Sequence, residues 1–283
     1  MSSVFNYQTL KVRLEKSTRT LFITLANENV ENALSMETLF ELESLLAWVT
    51  TKVEIHSIFI QSNSSLFSSG YNKKVLQKLT VEKLSTFTSK LQKINQAIML
   101  LPQTVVLDLQ MGADNIACEL ATACDIRIAN RSCKIKFNHS ALGLIPCSGG
   151  IAQLSNVVGQ ANSRNWLLSG LSINLSKLES SGYIFNSYTM DNRDEKIQEI
   201  LSSIHSQAPV QRIQTKLGVT ESIRPQIESM LKFEKQISKA AMITEDWKAE
   251  NNTNKMPAKH MKEAVKLTLV KDNQDDSSNG PLN

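Results

Sequence analysis

The stretch that most constrains the fold runs from Pro102 to Phe137, with Glu119 near its middle. A valine- and leucine-rich run comes first, a short polar break follows, and an alanine-rich segment then carries Glu119 ahead of two further apolar runs. Apolar runs of about four to six residues are typical of buried strands, whereas a longer alanine-rich run is typical of a helix. The pattern predicts strand, tight loop, helix, strand, turn and strand, with the helix starting near Asn115.

Glu119 is the first candidate for chemistry because its helix has almost no polar face. A lone glutamate on a helix is usually solvated, but a buried carboxylate is costly and is usually paired or functional. The residues alone leave both interpretations open. Asp108, a charge within the preceding apolar run, is expected to have a partner for the same reason. The apolar neighbours of Glu119 are Cys118, Leu120, Ala121, Ala123 and Cys124.

The run from Pro102 to Ala129 resembles the crotonase superfamily, the enoyl-CoA hydratase and isomerase fold. The family pattern is a strand, a glycine-rich turn, a helix carrying a glutamate, and a strand entered by Ala-Cys-Asp-Ile/Leu-Arg-Ile-Ala. Here Glu119 is followed by Ala-Cys-Asp-Ile-Arg-Ile-Ala at residues 123–129, and the resemblance extends from about Leu10 to Lys216. It implies an α/β fold in which repeated ββα units form a spiral.

The same resemblance predicts the organisation of the chain. Residues 1–192 are expected to form the spiral core, and residues 193–268 a helical C-terminal module that closes the site and mediates oligomerisation. The polar composition of residues 269–283 predicts a disordered tail. By resemblance, the assembly is expected to be a homotrimer or a dimer of trimers.

Two segments of the resemblance imply an oxyanion hole, which in the family binds the thioester oxygen through two backbone N–H groups. The turn around Gly70 resembles the family's Phe-x-x-Gly-x-Asp, which assigns one donor to Tyr71. Three family glycines fall on residues 115–117, and the middle one, the second donor, is Ile116 here. Isoleucine is β-branched and disfavours positive φ. Either Ile116 lies in an ordinary helix N-terminus, whose N–H groups still point outward, or the hole is lost.

The segment after Phe137 resembles the family's Pro-Glu-x-x-x-Gly-x-x-Pro-x-x-Gly-Gly, and His139 stands at the position of the second catalytic glutamate. Histidine can act as an acid or a base near neutral pH. A lone histidine is also a common, satisfied loop residue, so both readings stay open. The resemblance implies Glu119 as acid/base and His139 as the second group.

Residues that would border CoA come from two loops. The segment 27–35 resembles the family's Asn-x-x-x-x-Asn-Ala-Leu-Ser/Thr, and its Ser35 also suits a helix N-cap. The turn at Gly70 is followed by lysines that would either meet CoA phosphates or be solvated. The implied substrate-binding residues are Asn32, Ala33, Leu34, Ser69, Gly70 and Lys73.

Composition narrows the function classes. Lysine and arginine number 31 against 27 acidic residues, a net charge of +4. This excess is compatible with a phosphate-bearing ligand and too small to indicate nucleic acid. Four cysteines without a CxxC pair argue against zinc and for a reducing compartment. Without a long apolar stretch or a signal-peptide pattern, we expect a cytoplasmic protein with no membrane span.

Together these features predict an enzyme that acts on an acyl-CoA or acyl-carrier thioester and stabilises an enolate. The expected reaction is hydration or dehydration of a 2-enoyl thioester, as in fatty acid metabolism, with no metal and no cofactor beyond the thioester substrate. Isomerisation and decarboxylation remain alternatives within the family. An inactive subunit that binds a thioester or a partner is a further alternative, favoured by the replaced glycines and by His139.

Overall fold

The computed structural model describes residues 5–27 and 30–249. The tail predicted at 269–283, and the end of the helical module predicted to reach residue 268, lie outside these ranges. The strands are β1 (Leu10–Glu15), β2 (Thr20–Leu25), β3 (Ser57–Ser62), β4 (Thr104–Asp108), β5 (Gly112–Asp114), β6 (Ile126–Asn130), β7 (Lys134–Lys136), β8 (Ile173–Asn174) and β9 (Asn186–Tyr188).

The helices pack around these strands, and the longest, α8, is the last of them. They are α1 (Met36–Thr50), α2 (Lys73–Leu76), α3 (Val81–Leu100), α4 (Ile116–Thr122), α5 (Gly150–Ser169), α6 (Leu175–Ser180), α7 (Arg193–Ser206) and α8 (Pro209–Met242). None of the helices in the described ranges combines the length and apolar composition needed to cross a bilayer.

The strands form two sheets. The larger has six strands in the order β1-β2-β3-β4-β6-β9, and the smaller has the order β5-β7-β8. In the larger sheet β1 is antiparallel to β2, while every other neighbouring pair is parallel. The chain passes from β4 in the larger sheet to β5 in the smaller sheet, and then through α4. It returns to the larger sheet as β6 and to the smaller sheet as β7. This is the predicted ββα turn, and it holds α4 where the carboxyl ends of β2, β3 and β4 meet.

Both faces of the central strands β2, β3, β4 and β6 are buried, as is usual for parallel strands. One face contributes to the main core, together with α1, α3 and α4. The other face packs on α7, where Ile197, Ile200, Leu201 and Ile204 cover Phe22, Phe59, Val106 and Ile128. This double coverage explains why the strands read as continuous apolar runs in the sequence.

Several local expectations can be compared with the structure. The helix expected near Asn115 begins at Ile116 with Asn115 as its N-cap. Buried Asp108 is partnered, since it accepts from Arg193 Nη2 at 2.7 Å and from the Tyr188 hydroxyl at 2.7 Å. The longest helix, α8, begins at Pro209, and Pro225 lies inside it. Packing of α8 on α3 and α5 holds the helix together across that proline.

Candidate functional site

Glu119 lies in the first turn of α4 and is fully buried. Its Oε2 accepts the backbone N–H of Ser148 at 2.7 Å and that of Gly150 at 2.9 Å. Its Oε1 lies 2.7 Å from His139 Nε2. Three donors therefore surround the carboxylate, two of them at the start of α5, where unpaired N–H groups and the helix dipole favour a negative charge.

His139 begins a short 3-10 turn after β7 and is almost completely buried. Its Nε2 faces Glu119, while its Nδ1 has no hydrogen-bond partner among the described residues. The structure thus brings the two predicted acid/base residues together. They touch each other directly, and a separation of 2.7 Å leaves no room for a water molecule between these two atoms.

A second buried carboxylate, Glu234, was not singled out from the sequence. It lies on α8 and accepts the N–H groups of Gly149, at 2.8 Å, and of Ala152. Burial, together with the charge of Glu119, raises the pKa of Glu234 to about 8. The signal was present, because Glu234 follows Ile227 by two helical turns on a buried stripe that also carries Leu231 and Met242.

The two predicted oxyanion donors converge on a single oxygen. The N–H of Tyr71 donates to Asn115 Oδ1 at 2.9 Å, and the N–H of Ile116 donates to the same atom at 2.8 Å. The amide nitrogen of Asn115 donates to the Ser69 carbonyl at 3.3 Å. The two N–H groups therefore point at one oxygen, and that oxygen belongs to the chain's own carboxamide.

The backbone of Asn115 bears the strain of this arrangement. Its φ of 41° and ψ of −114° are close to those of the first central residue of a type II′ turn, where glycine is usual. Ile116 is helical, so the positive φ falls on Asn115, one residue before the position of the middle family glycine. Gly70 allows the close approach, since a Cβ there would lie 1.9 Å from Asn115 Oδ1.

An apolar cavity of about 410 Å³ lies beside this centre. Glu119 and His139 are absent from its walls. Tyr71 lines it, and its buried hydroxyl has no hydrogen-bond partner among the described residues. Burial, with Cys147 and Glu119 close by, raises the pKa of Tyr71. Tyr71 is thus a cavity wall residue that also lies near Glu119. The walls are Ala33, Leu34, Ser35, Met36, Tyr71, Asn72, Val75, Leu76, Leu79, Glu82, Lys83, Thr86 and Phe87.

The remaining predicted substrate-binding residues fall into two groups. Ala33 and Leu34 line the cavity. Asn32 is buried and fixes its own loop, because its Nδ2 donates to Ser62 Oγ at 2.6 Å and to Asn63 Oδ1 at 2.9 Å.

Ser69 and Gly70 form the turn that holds Asn115, and Lys73 begins α2 with an exposed side chain. The four cysteines are buried thiols, and no group of side chains in the described ranges is arranged to hold a metal ion.

Comparison with known proteins places these features in a family context. A family model described as enoyl-CoA hydratase/isomerase matches residues 15–261. The short-chain-enoyl-CoA hydratase of Clostridium acetobutylicum is 24% identical over 238 residues, covering 84% of this chain and 91% of its own. The 2,3-dehydroadipyl-CoA hydratase of Escherichia coli is also 24% identical over 238 residues, covering 82% of this chain and 91% of its own.

The fold has close counterparts among solved structures. The enoyl-CoA hydratase of Bacillus halodurans superimposes with a TM-score of 0.79 at 21% identity, over 85% of this chain and 98% of its own. This likeness confirms the predicted crotonase-like α/β fold with a helical C-terminal part.

Proposed function

The chain belongs to the enoyl-CoA hydratase/isomerase family, and from this premise we propose that it binds an acyl thioester without hydrating it. One observation carries the proposal: the N–H groups of Tyr71 and Ile116 are both engaged by Asn115 Oδ1. Enolate formation needs donors aimed at the thioester oxygen, and losing one such donor commonly lowers the rate by about 10²–10³-fold. Here neither donor is free for a substrate.

The acid/base pair supports the same proposal. Hydration requires a water held between two groups that activate it and move the α-carbon proton. Glu119 and His139 are instead hydrogen-bonded to each other, and the other oxygen of Glu119 accepts two backbone N–H groups. Three of the roughly four acceptor positions of the carboxylate are thus engaged inside the protein, and Glu119 does not line the cavity.

The cavity supports retention of binding. Its volume of about 410 Å³ lies within the range of small-molecule sites, which are typically apolar with a few polar groups. Ala33 and Leu34 contribute to it from the segment that the resemblance assigns to CoA. An acyl or pantetheine chain would bury apolar surface against Leu76 and Phe87, while Lys83 supplies a cation on the cavity wall.

A second candidate is an active enoyl thioester hydratase or isomerase in which the substrate's carbonyl displaces Asn115. The strained backbone of Asn115 favours it, because a residue held in such a conformation stores about 1–3 kcal/mol that its release would recover. In this candidate Tyr71 and Ile116 supply the oxyanion hole, Glu119 is the acid/base and His139 the second group.

The experiment that separates the two candidates uses crotonyl-CoA, with calorimetry for binding and loss of the conjugated thioester absorbance for turnover. We expect the wild-type protein to bind without turnover. Asn115→Gly should bind more tightly and gain turnover by about 10²-fold or more over the wild-type background, since both donors are freed. Asn115→Asp, which keeps an oxygen in the hole, is the matched control and should gain nothing.

Each outcome decides between the candidates. Wild-type turnover at about 1 s⁻¹ or faster, within the ordinary range of enzymes, would overturn the binding proposal in favour of the second candidate. Absence of thioester binding in all three proteins would overturn both. Binding without turnover in Asn115→Gly would keep the binding proposal and assign the remaining block to the Glu119–His139 contact.

A further inference from the structure

Four basic side chains meet at the amino ends of β2, β3 and β4, the opposite end of the sheet from Asn115 and Glu119. We call Arg19, His56, His205 and Arg212 the basic cluster. Arg19 and His56 directly precede β2 and β3, and the N–H of His56 donates to the Arg19 carbonyl at 2.8 Å. His205 comes from the last turn of α7 and Arg212 from the first turn of α8.

The contacts within the cluster fix the proton positions on His56. Its Nε2 lies 3.4 Å from Arg19 Nη1, and its Nδ1 lies 3.2 Å from Nδ1 of His205. A guanidinium can only donate, so Nε2 of His56 accepts and its ring proton lies on Nδ1, directed at His205. Burial lowers the pKa of His56, and the charges of Arg212, His205 and Arg19 lower it further. The two arginines near His56 are both cations.

Arg212 is the most informative member of the cluster. It is only 8% exposed, and its Nη1 donates to Thr104 Oγ1 at 3.1 Å. Its Nε and Nη2 are buried and have no acceptor in the part of the chain that the structure describes. Asp125 is the acid that acts on Arg212 from a distance, but it is already bonded to Lys216 Nζ at 2.6 Å. A buried, always-charged group without a counterion is strongly unfavourable.

From these observations we propose that the basic cluster binds a phosphate-class oxyanion, either free or as the phosphate of a small phosphomonoester. The unpartnered Nε and Nη2 of Arg212 form the fork that grips two oxygens of such an anion. Arg19 and the Nε2 of His205 supply further donors around it. The dianion replaces the missing counterion, and that is why phosphate is favoured over a neutral ligand.

Access to the cluster is available from the surface. Arg212, together with Thr104 and Gln207, lines a groove of about 600 Å³ between α7, α8 and the sheet. Arg19 is exposed and His205 is partly exposed. The amino ends of the strands are separated from the thioester cavity by the length of β3 and β4. The proposed site is therefore independent of the one at which a thioester would bind.

The test titrates inorganic phosphate into the full chain at constant ionic strength, with sodium chloride as the reference salt. Calorimetry measures affinity, and NMR follows the pKa of His56. We expect saturable binding that raises the pKa of His56, because an anion offsets the neighbouring cations. Arg19→Gln and His205→Asn, both at accessible positions, should each weaken phosphate binding about 10-fold or more. Arg224→Gln is the matched control, since Arg224 is exposed and paired with Glu221 and Glu228.

A parallel titration with glycerol 3-phosphate identifies the source of the anion. Tighter binding of the ester than of inorganic phosphate supports the proposal, with the groove holding the organic part. Equal binding of the two supports it with free phosphate as the ligand. The proposal is overturned if phosphate does not bind saturably, or if Arg19→Gln and His205→Asn bind it as well as Arg224→Gln does.

Discussion

The two polar centres described above lie at opposite ends of the same parallel strands and differ in how far their polar atoms have hydrogen-bond partners. At the carboxyl ends, the amides of Tyr71 and Ile116 and both oxygens of Glu119 have partners within the chain itself. At the amino ends, Arg212 presents buried donors that have no acceptor in the described residues. The centre that carries the family's catalytic pattern is thus closed by its own side chains. Unsatisfied charge marks the other centre as the one prepared for an anion.

The largest expected effect is on the pH dependence of stability, and it comes from Glu234 beside the closed centre. Its pKa of about 8 lies above its ordinary value of 4.5. A carboxyl whose pKa is raised by folding holds its proton more tightly in the folded state. The free energy of unfolding should therefore be highest below about pH 4.5 and fall as pH rises to about 8, by roughly 5 kcal/mol in total. Urea unfolding between these limits measures the slope.

Glu234→Gln should remove that slope, because the amide does not titrate. Glu228→Gln, an exposed position on the same helix, is the control and should keep it. If the slope is the same in Glu234→Gln as in the wild type, the closed centre does not hold a strained carboxyl, and the contrast between the two ends of the sheet fails.

A smaller effect is expected from the packing around Glu119. A Cβ at Gly150 would lie 2.9 Å from Glu119 Oε2 and 2.9 Å from Cβ of Pro146. Gly150→Ala should therefore destabilise the protein by about 2 kcal/mol in urea unfolding, since overpacking a filled site displaces its neighbours. Gly218→Ala, whose new Cβ would have no atom of the described residues within 4 Å, should instead stabilise α8 by about 0.5–1 kcal/mol. Equal effects of the two changes would show that the closed centre is loosely packed.

The smallest effect on stability is expected from the basic cluster. Its pH dependence has the opposite sign to that caused by Glu234. His56 has a lowered pKa, so the folded state binds its proton less readily than the unfolded chain does. The contribution to stability should rise with pH through the region around and below about 6.5. His56→Asn should flatten this rise while leaving the decline due to Glu234. A stability curve unchanged by His56→Asn would argue that the neighbouring cations do not act on this ring.

The fold was predictable because its signals are local. The apolar run ending at Asp108, the helix after Asn115 and the strand at Ile126–Asn130 follow each other within one stretch of chain, and their spacing matches a known family. The partner of Asp108 could be expected in kind but not by name, because Arg193 lies 85 residues further along the chain.

The site was predictable only where it follows the family pattern. The contact between Glu119 and His139 follows from that pattern, whereas the role of Asn115 depends on a side-chain rotamer that no spacing reveals. Glu234 and the basic cluster depend on α7 and α8 returning to the sheet, which is a tertiary event.

The contact of Asn115 with the two amides has a consequence for how ligands bind. The Asn115 carboxamide competes with any thioester that binds the same two N–H groups. Because it belongs to the chain itself, its competition does not depend on protein concentration. The measured dissociation constant of such a thioester equals the intrinsic constant divided by the fraction of molecules in which the carboxamide has swung away. If that fraction is about 1%, affinity is lowered about 100-fold. Thioesters and transition-state mimics would then be ranked by how well they grip the apolar cavity, and their carbonyl groups would add little to the ranking.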